Sequence, residues 1–147
     1  MEKILAGKGL GIELDELIQD MAPDGEISYL VARLDDEKDM AEIAGRGITM
    51  VHASASMIKV LIMAALFKKV ADGDLALDMT MSLKESPRVL GGGALQELDL
   101  NHRFSYLELC RLMMVLSDNW ATNLLIKKLG MATVNEFAES IGLQATR

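Results

Sequence analysis

The sequence predicts an α+β fold, mostly helical, that opens with one helix and one β-hairpin. Three observations carry that expectation. Long stretches place apolar residues at helical spacing, or throughout, between recognisable start and stop signals. Two runs of strand-forming residues lie next to each other near the start, and none follows. The 147 residues suffice for one domain with a real core but are short for a two-domain enzyme.

In the first element, Leu14, Leu17, Ile18 and Met21 recur at helical spacing, and Pro23-Asp24-Gly25 ends the helix with turn residues. Ile27 to Leu34 is rich in strand formers and more nearly continuously apolar than alternating, the pattern of a strand covered on both faces. The polar run Asp35 to Asp39 turns the chain, and Met40 to Gly45 returns it, completing the hairpin.

No Gly or Pro interrupts Ala55 to about Val70, and the apolar run Val60 to Phe67 covers every side of a helix, as befits the centre of a domain. Ser54 is its expected N-cap and Asp72-Gly73 its stop. Pro87 and the triplet Gly91-Gly92-Gly93 mark a surface loop, without the spacing of a phosphate-binding fingerprint. Ser105-Tyr106-Leu107-Glu108 is a capping box that opens a very apolar helix ending near Leu116. Ser117-Asp118-Asn119 interrupts it, and a helix from Trp120 to Leu129 stops at Gly130. Thr133-Val134-Asn135-Glu136 reads as a further capping box before a last short helix that stops at Gly142. After the hairpin, only helices are expected.

Charge narrows the partners. Fifteen basic against twenty-two acidic residues give a net charge of -7, and the basic residues form no stripe that could neutralise phosphates. Nucleic acid and anionic membrane surfaces are therefore not expected as partners. The run Val60 to Phe67 is far shorter than the roughly 20 residues that span a bilayer. Met1 to Lys8 lacks the apolar segment of a secretory signal, so the protein is expected inside the cell unless a signal has been removed. The single cysteine, Cys110, sits among leucines and methionines and reads as a small core hydrophobe. It excludes an internal disulfide and a multi-cysteine metal cage. Neither metal nor cofactor is expected.

The chemistry-bearing candidates begin with Ser56 and Lys59, three apart, which on a helix places hydroxyl and amine on one face. A serine hydroxyl is a poor nucleophile until a base takes its proton. A lysine serves as that base only where burial or neighbouring charge brings its pKa from about 10.4 toward about 7 to 8, worth roughly 4 kcal/mol of environment. A buried apolar helix can supply that environment. Ser117-Asp118-Asn119 falls at a break between two apolar helices, where short polar side chains can point into a cleft. The plainer reading makes it a turn, with Asp118 or Asn119 capping the next helix. His52 and His102 lack a Gly-x-Ser-x-Gly elbow for a serine triad, and two histidines alone make no metal site.

Taken together, Ser56-x-x-Lys59 and Ser117-Asp118-Asn119 resemble the motif set of the class A serine β-lactamases and their penicillin-binding relatives. The likeness extends to Gly73-Asp74-Leu75-Ala76-Leu77-Asp78, Gly93-Ala94-Leu95, Ser117 to Ile126, and Gly142-Leu143 before Thr146-Arg147, covering roughly Ile27 to the end. The resemblance implies a partial β-lactamase-like domain over residues 1-147, holding the first helix, first hairpin and helical subdomain, with later strands absent. It implies that Ser56 is the acylated nucleophile, Lys59 its proton acceptor or orienting partner, and Ser117 the relay to the departing lactam nitrogen. Asn119 would hold the substrate's side-chain amide. Asp118 would tie the loop to neighbouring backbone, and the Ser56 backbone N–H would form half of the oxyanion hole.

The sequence also departs from that family. It contains no Lys-Thr-Gly, and it stops a few residues before the position where the deacylating glutamate is expected. A two-stranded hairpin is marginal alone. The expectation is therefore the front part of a longer serine hydrolase, acting on a β-lactam or acyl-peptide substrate and inactive by itself. The alternatives are a penicillin-binding peptidase or esterase, or a non-catalytic module that covers its hairpin by self-association or with a missing C-terminal part.

Overall fold

In the computed structural model, residues 7–22, 24–34 and 40–145 are described, and the chain divides into two compact units, Met1–His52 and Ala53–Arg147.

The first unit holds α1 (Gly7–Met21), β1 (Tyr29–Leu34) and β2 (Met40–Arg46). The two strands pair antiparallel from Tyr29 opposite Arg46 to Leu34 opposite Met40, with a register shift between Val31 and Ala32. This is the hairpin its sequence predicts; its turn, Asp35 to Asp39, lies outside the described residues, as does Pro23. The Tyr29 hydroxyl donates to the Gly11 carbonyl and to Asp15, each at 3.2 Å, which ties β1 to α1. The expectation of a strand covered on both faces does not hold within this unit: Tyr29 and Val31 are half-buried, whereas Leu30 is 49 % exposed. Among the described residues α1 is the only helix of this unit, and Leu30 faces away from any cover it gives.

The second unit is built on α2 (Ile58–Ala71), α3 (Tyr106–Val115), α4 (Asn119–Leu129) and α5 (Met131–Ser140), with β3 (Thr80–Ser82) paired antiparallel to β4 (Arg103–Ser105). Ile62, Leu66, Leu109, Met113, Trp120, Leu124, Leu125 and Val134 are sealed from solvent, and Leu83 and Leu95 join them from the connecting segments. Cys110 lies in this core, and burial raises its thiol pKa. No helix among the described residues is long and apolar enough to cross a membrane.

The capping box at Ser105 forms as expected: the Glu108 backbone N–H donates to the Ser105 hydroxyl at 3.2 Å, and the Glu108 carboxylate accepts from the Ser105 backbone N–H at 2.7 Å. A second box, unanticipated, starts the short helical turn Leu83–Glu85 through Ser82 and Glu85, although the same Ser-x-x-Glu spacing is present in the sequence.

Other local expectations are corrected. Ser54 does not cap α2: a 3-10 turn, Ala55–Met57, precedes that helix, and Ser54 has helical backbone angles rather than the extended ones a capping side chain needs. Thr133 opens no capping box, because Gly130 at φ +81° turns the chain directly from α4 into α5 and leaves Thr133 inside the first turn. The pairing of β3 with β4 was not anticipated, since three residues are too few to show a period. Nor is α2 buried all round. Leu61, Ile62, Ala65 and Leu66 are buried where α3, α4 and α5 pack, but Val60 is 54 % and Phe67 43 % exposed. Val60, Leu61 and Ala64 line an apolar hollow of about 310 Å³ with Met57, Ile141 and Leu143.

Candidate active site

The 3-10 turn at the head of α2 carries Ser56, and one turn further along the helix stands Lys59. Ala55, immediately before the serine, has φ +44°, a left-handed conformation that costs an L-residue about 1–2 kcal/mol. The turn between α3 and α4 carries Ser117, likewise left-handed at φ +54°. Strain of this kind persists only where surrounding contacts hold it.

Those contacts centre on Lys59, whose side chain is 5 % exposed. Four oxygens lie within hydrogen-bond distance of its Nζ, one more than its three N–H donors could serve at once: the Ser117 hydroxyl at 2.7 Å, the Ser117 carbonyl at 2.8 Å, the Asn119 side-chain oxygen at 3.0 Å and the Ser56 hydroxyl at 3.1 Å. A buried cation without partners would be prohibitively costly, and here neutral oxygens supply the partnership. The Ser56 and Ser117 hydroxyls are themselves 3.1 Å apart. Both serines are exposed, so a solute can reach the two oxygens while the amine behind them stays shielded.

Asp118, 1 % exposed, points the other way. One carboxylate oxygen accepts from the backbone N–H groups of Ala94, at 2.7 Å, and Leu95, at 2.9 Å. The other accepts from Ala121 N–H at 2.9 Å, which makes Asp118 the N-cap of α4. Its carboxylate therefore ties together the glycine loop and the α3–α4 turn. The Asn119 N–H closes the same seam on the Gly92 carbonyl at 3.2 Å.

Read from sequence, the glycine triplet marks only a surface loop, yet it shapes this seam. Gly93 has φ +118°, and a side-chain carbon built on it would overlap the Asp118 carboxylate. One built on Gly91, at φ +124°, would come within 2.9 Å of the Asn119 side-chain nitrogen. Three consecutive glycines are the signal that the backbone needs close approach there.

Thus Ser56, Lys59, Ser117 and Asn119, from two distant stretches of the chain, share one hydrogen-bond network, and Asp118 buttresses it from behind. A proton leaving the Ser56 oxygen has an amine nitrogen within hydrogen-bond distance, and the Ser117 oxygen lies within hydrogen-bond distance of both atoms. Neither histidine takes part: His52 bonds the Ser28 hydroxyl at 2.8 Å, and the His102 ring packs on Phe104. Among the described residues no group of three or more His, Cys, Asp or Glu side chains is placed to hold a metal ion.

Comparison with known proteins adds ancestry to this geometry. A family model described as the Beta-lactamase enzyme family matches residues 10–147. A mutant of PBP-A, solved as an acyl-enzyme complex with penicillin G, is similar at 29 % identity with a TM-score of 0.77, over 93 % of this chain and 50 % of that one. A β-lactamase from Sphaerobacter thermophilus is 26 % identical with a TM-score of 0.73, over 92 % of this chain and 48 % of that one. An ancestral class A β-lactamase is 25 % identical with a TM-score of 0.76, over 94 % of this chain and 51 % of that one. The chain spans about half the length of the structures it matches.

Proposed function

Because this chain belongs to the β-lactamase enzyme family and carries the helical part of that fold, we propose that it is a β-lactamase-like serine hydrolase whose Ser56 is acylated by β-lactam amides. The observation that carries the reading is the shared placement of the Ser56 and Ser117 hydroxyls on the buried Lys59 nitrogen.

In this reading the Ser56 oxygen attacks the lactam carbonyl carbon while the Lys59 nitrogen accepts the hydroxyl proton. A tetrahedral oxyanion forms, and the Ser56 backbone N–H contributes one of the donors that stabilise it. When the carbon–nitrogen bond breaks, the proton passes from Lys59 through Ser117 to the departing nitrogen. The products are an ester on Ser56 and a ring-opened amine, both on one molecule, so the adduct retains the whole mass of the drug. Asn119 would hold the substrate's side-chain amide, and Asp118 would fix the loop that presents Ser117 and Asn119.

Hydrolysis of that ester requires a base to activate water. Among the described residues the Ser56 hydroxyl bonds only Ser117 and Lys59, and no carboxylate reaches it. We therefore expect these residues by themselves to acylate once and hold the product. A second reading, a penicillin-binding acceptor rather than a lactamase, is favoured by the likeness to PBP-A, solved as an acyl-enzyme complex with penicillin G.

The test is intact-mass spectrometry after incubation with penicillin G. An adduct of the drug's full mass, absent from Ser56→Ala, is expected. No adduct on a folded protein would remove the acyl-serine proposal, whereas an adduct that clears within minutes would favour the lactamase over the acceptor.

A further inference from the structure

A second cavity, of about 380 Å³, opens elsewhere in the helical unit and is lined by none of the residues of the candidate active site. Its size lies in the lower part of the roughly 300–1,000 Å³ range that holds small ligands. Leu83, Leu98, Leu100 and Trp120 give it an apolar lining, and two cationic residues, Lys84 and Arg88, also line it. Leu83 and Trp120 belong to the core, and Trp120 is held in place by its indole N–H on the Ser86 carbonyl at 3.3 Å. Leu98 and Leu100, by contrast, are 44 % and 47 % exposed and would gain burial from an apolar occupant.

The two charges distinguish this cavity from an ordinary surface dent. Arg88 donates to the Gln96 main-chain carbonyl, and Lys84 donates to the Asn101 side-chain oxygen at 2.6 Å. Both acceptors are neutral, so they restrain the cations without compensating them. Neither forms an ion pair with a described carboxylate. The nearest in sequence, Glu85, is turned to the Ser82 backbone N–H at 2.8 Å. Beside an apolar cavity, two cations that pair with no described carboxylate leave room for one brought by a ligand. A guanidinium offers two parallel donors that match a carboxylate.

We propose that this cavity binds a small monocarboxylate with an apolar body, the carboxylate on Arg88 and Lys84 and the body against Trp120, Leu98 and Leu100. The site is separate from Ser56 and does not depend on the acylation chemistry.

Trp120 is the only tryptophan in the chain, so its fluorescence reports the cavity directly. Hexanoate titrated into the full chain should give a saturable change in that fluorescence, while hexanol and hexylamine should give none. Arg88→Ala should weaken hexanoate binding at least fivefold with helical circular dichroism unchanged, and Ser56→Ala should leave it unaltered. Backbone amide shifts at Gln96, Leu98 and Leu100 in NMR spectra provide a second readout should the indole be insensitive. Hexanol binding as well as hexanoate, an Arg88→Ala variant that binds normally, or silence in both readouts would overturn the proposal.

Discussion

Lys59 donates to the Ser117 hydroxyl at 2.7 Å, a contact between residues 58 positions apart that makes the candidate site one unit rather than two motifs. Removing the amine should therefore cost acylation rate. Lys59→Met should slow acylation of Ser56 by about 10²–10⁴-fold, the usual contribution of a positioned proton acceptor. The rate of penicillin adduct formation, followed by quenched mass spectrometry, checks this. An unslowed Lys59→Met variant would show that the amine moves no proton.

Asp118 should matter to stability more than to chemistry. Asp118→Ala strips acceptors from the backbone N–H groups of Ala94, Leu95 and Ala121 together, so a loss of about 3–5 kcal/mol is expected in urea unfolding. Gly93→Ala should cost a comparable amount through overlap with the same carboxylate. The double variant should be much less than additive, because both changes break one junction.

The capping box of α3 predicts a pH dependence. Donation from the Ser105 hydroxyl, and then from its backbone N–H, lowers the Glu108 carboxyl pKa below its ordinary value. A group whose folded pKa is lowered contributes stability above its unfolded pKa, about 4.3 for glutamate, and loses it as pH falls through the lower folded value. The gap in urea midpoint between the native chain and Glu108→Gln should be full near neutrality and close on acidification below about pH 4. A gap that widens on acidification would contradict the assignment.

Cys110 should be chemically silent while the protein is folded. Its thiol is 4 % exposed and burial raises its pKa, so little thiolate is present to react. Ellman's reagent should modify it on the order of 10²–10³-fold more slowly than in the guanidinium-unfolded chain, at a rate that follows opening of the core.

How much of this was legible beforehand differs by element and by cause. The Ser105 box and the Asp118 cap are local devices, set by residues three apart, and the sequence displays them openly. The same reasoning applied at Ser82 would have found the box there, and it misfired at Thr133 because Gly130 had already capped the helix three residues earlier. The short β3–β4 pair left no periodic trace, because it joins residues more than twenty positions apart through three-residue strands. The burial of α2 was overestimated for a different reason: an all-apolar run says what a helix could bury, not what its neighbours cover. At the site, the Ser56–Lys59 spacing was visible, but its convergence with Ser117 depends on packing of α2 against α4, which spacing alone cannot reveal.

The two left-handed residues, Ala55 and Ser117, bracket this chemistry from either side of the seam. Glycine or asparagine would occupy such angles with less strain. A laboratory evolution campaign that rewarded heat resistance alone would accordingly accept those replacements at 55 and 117. It would thereby discard one of the two hydroxyls on the amine and relax the turn that aims the other, so hardier descendants of this chain should be poorer acyl acceptors.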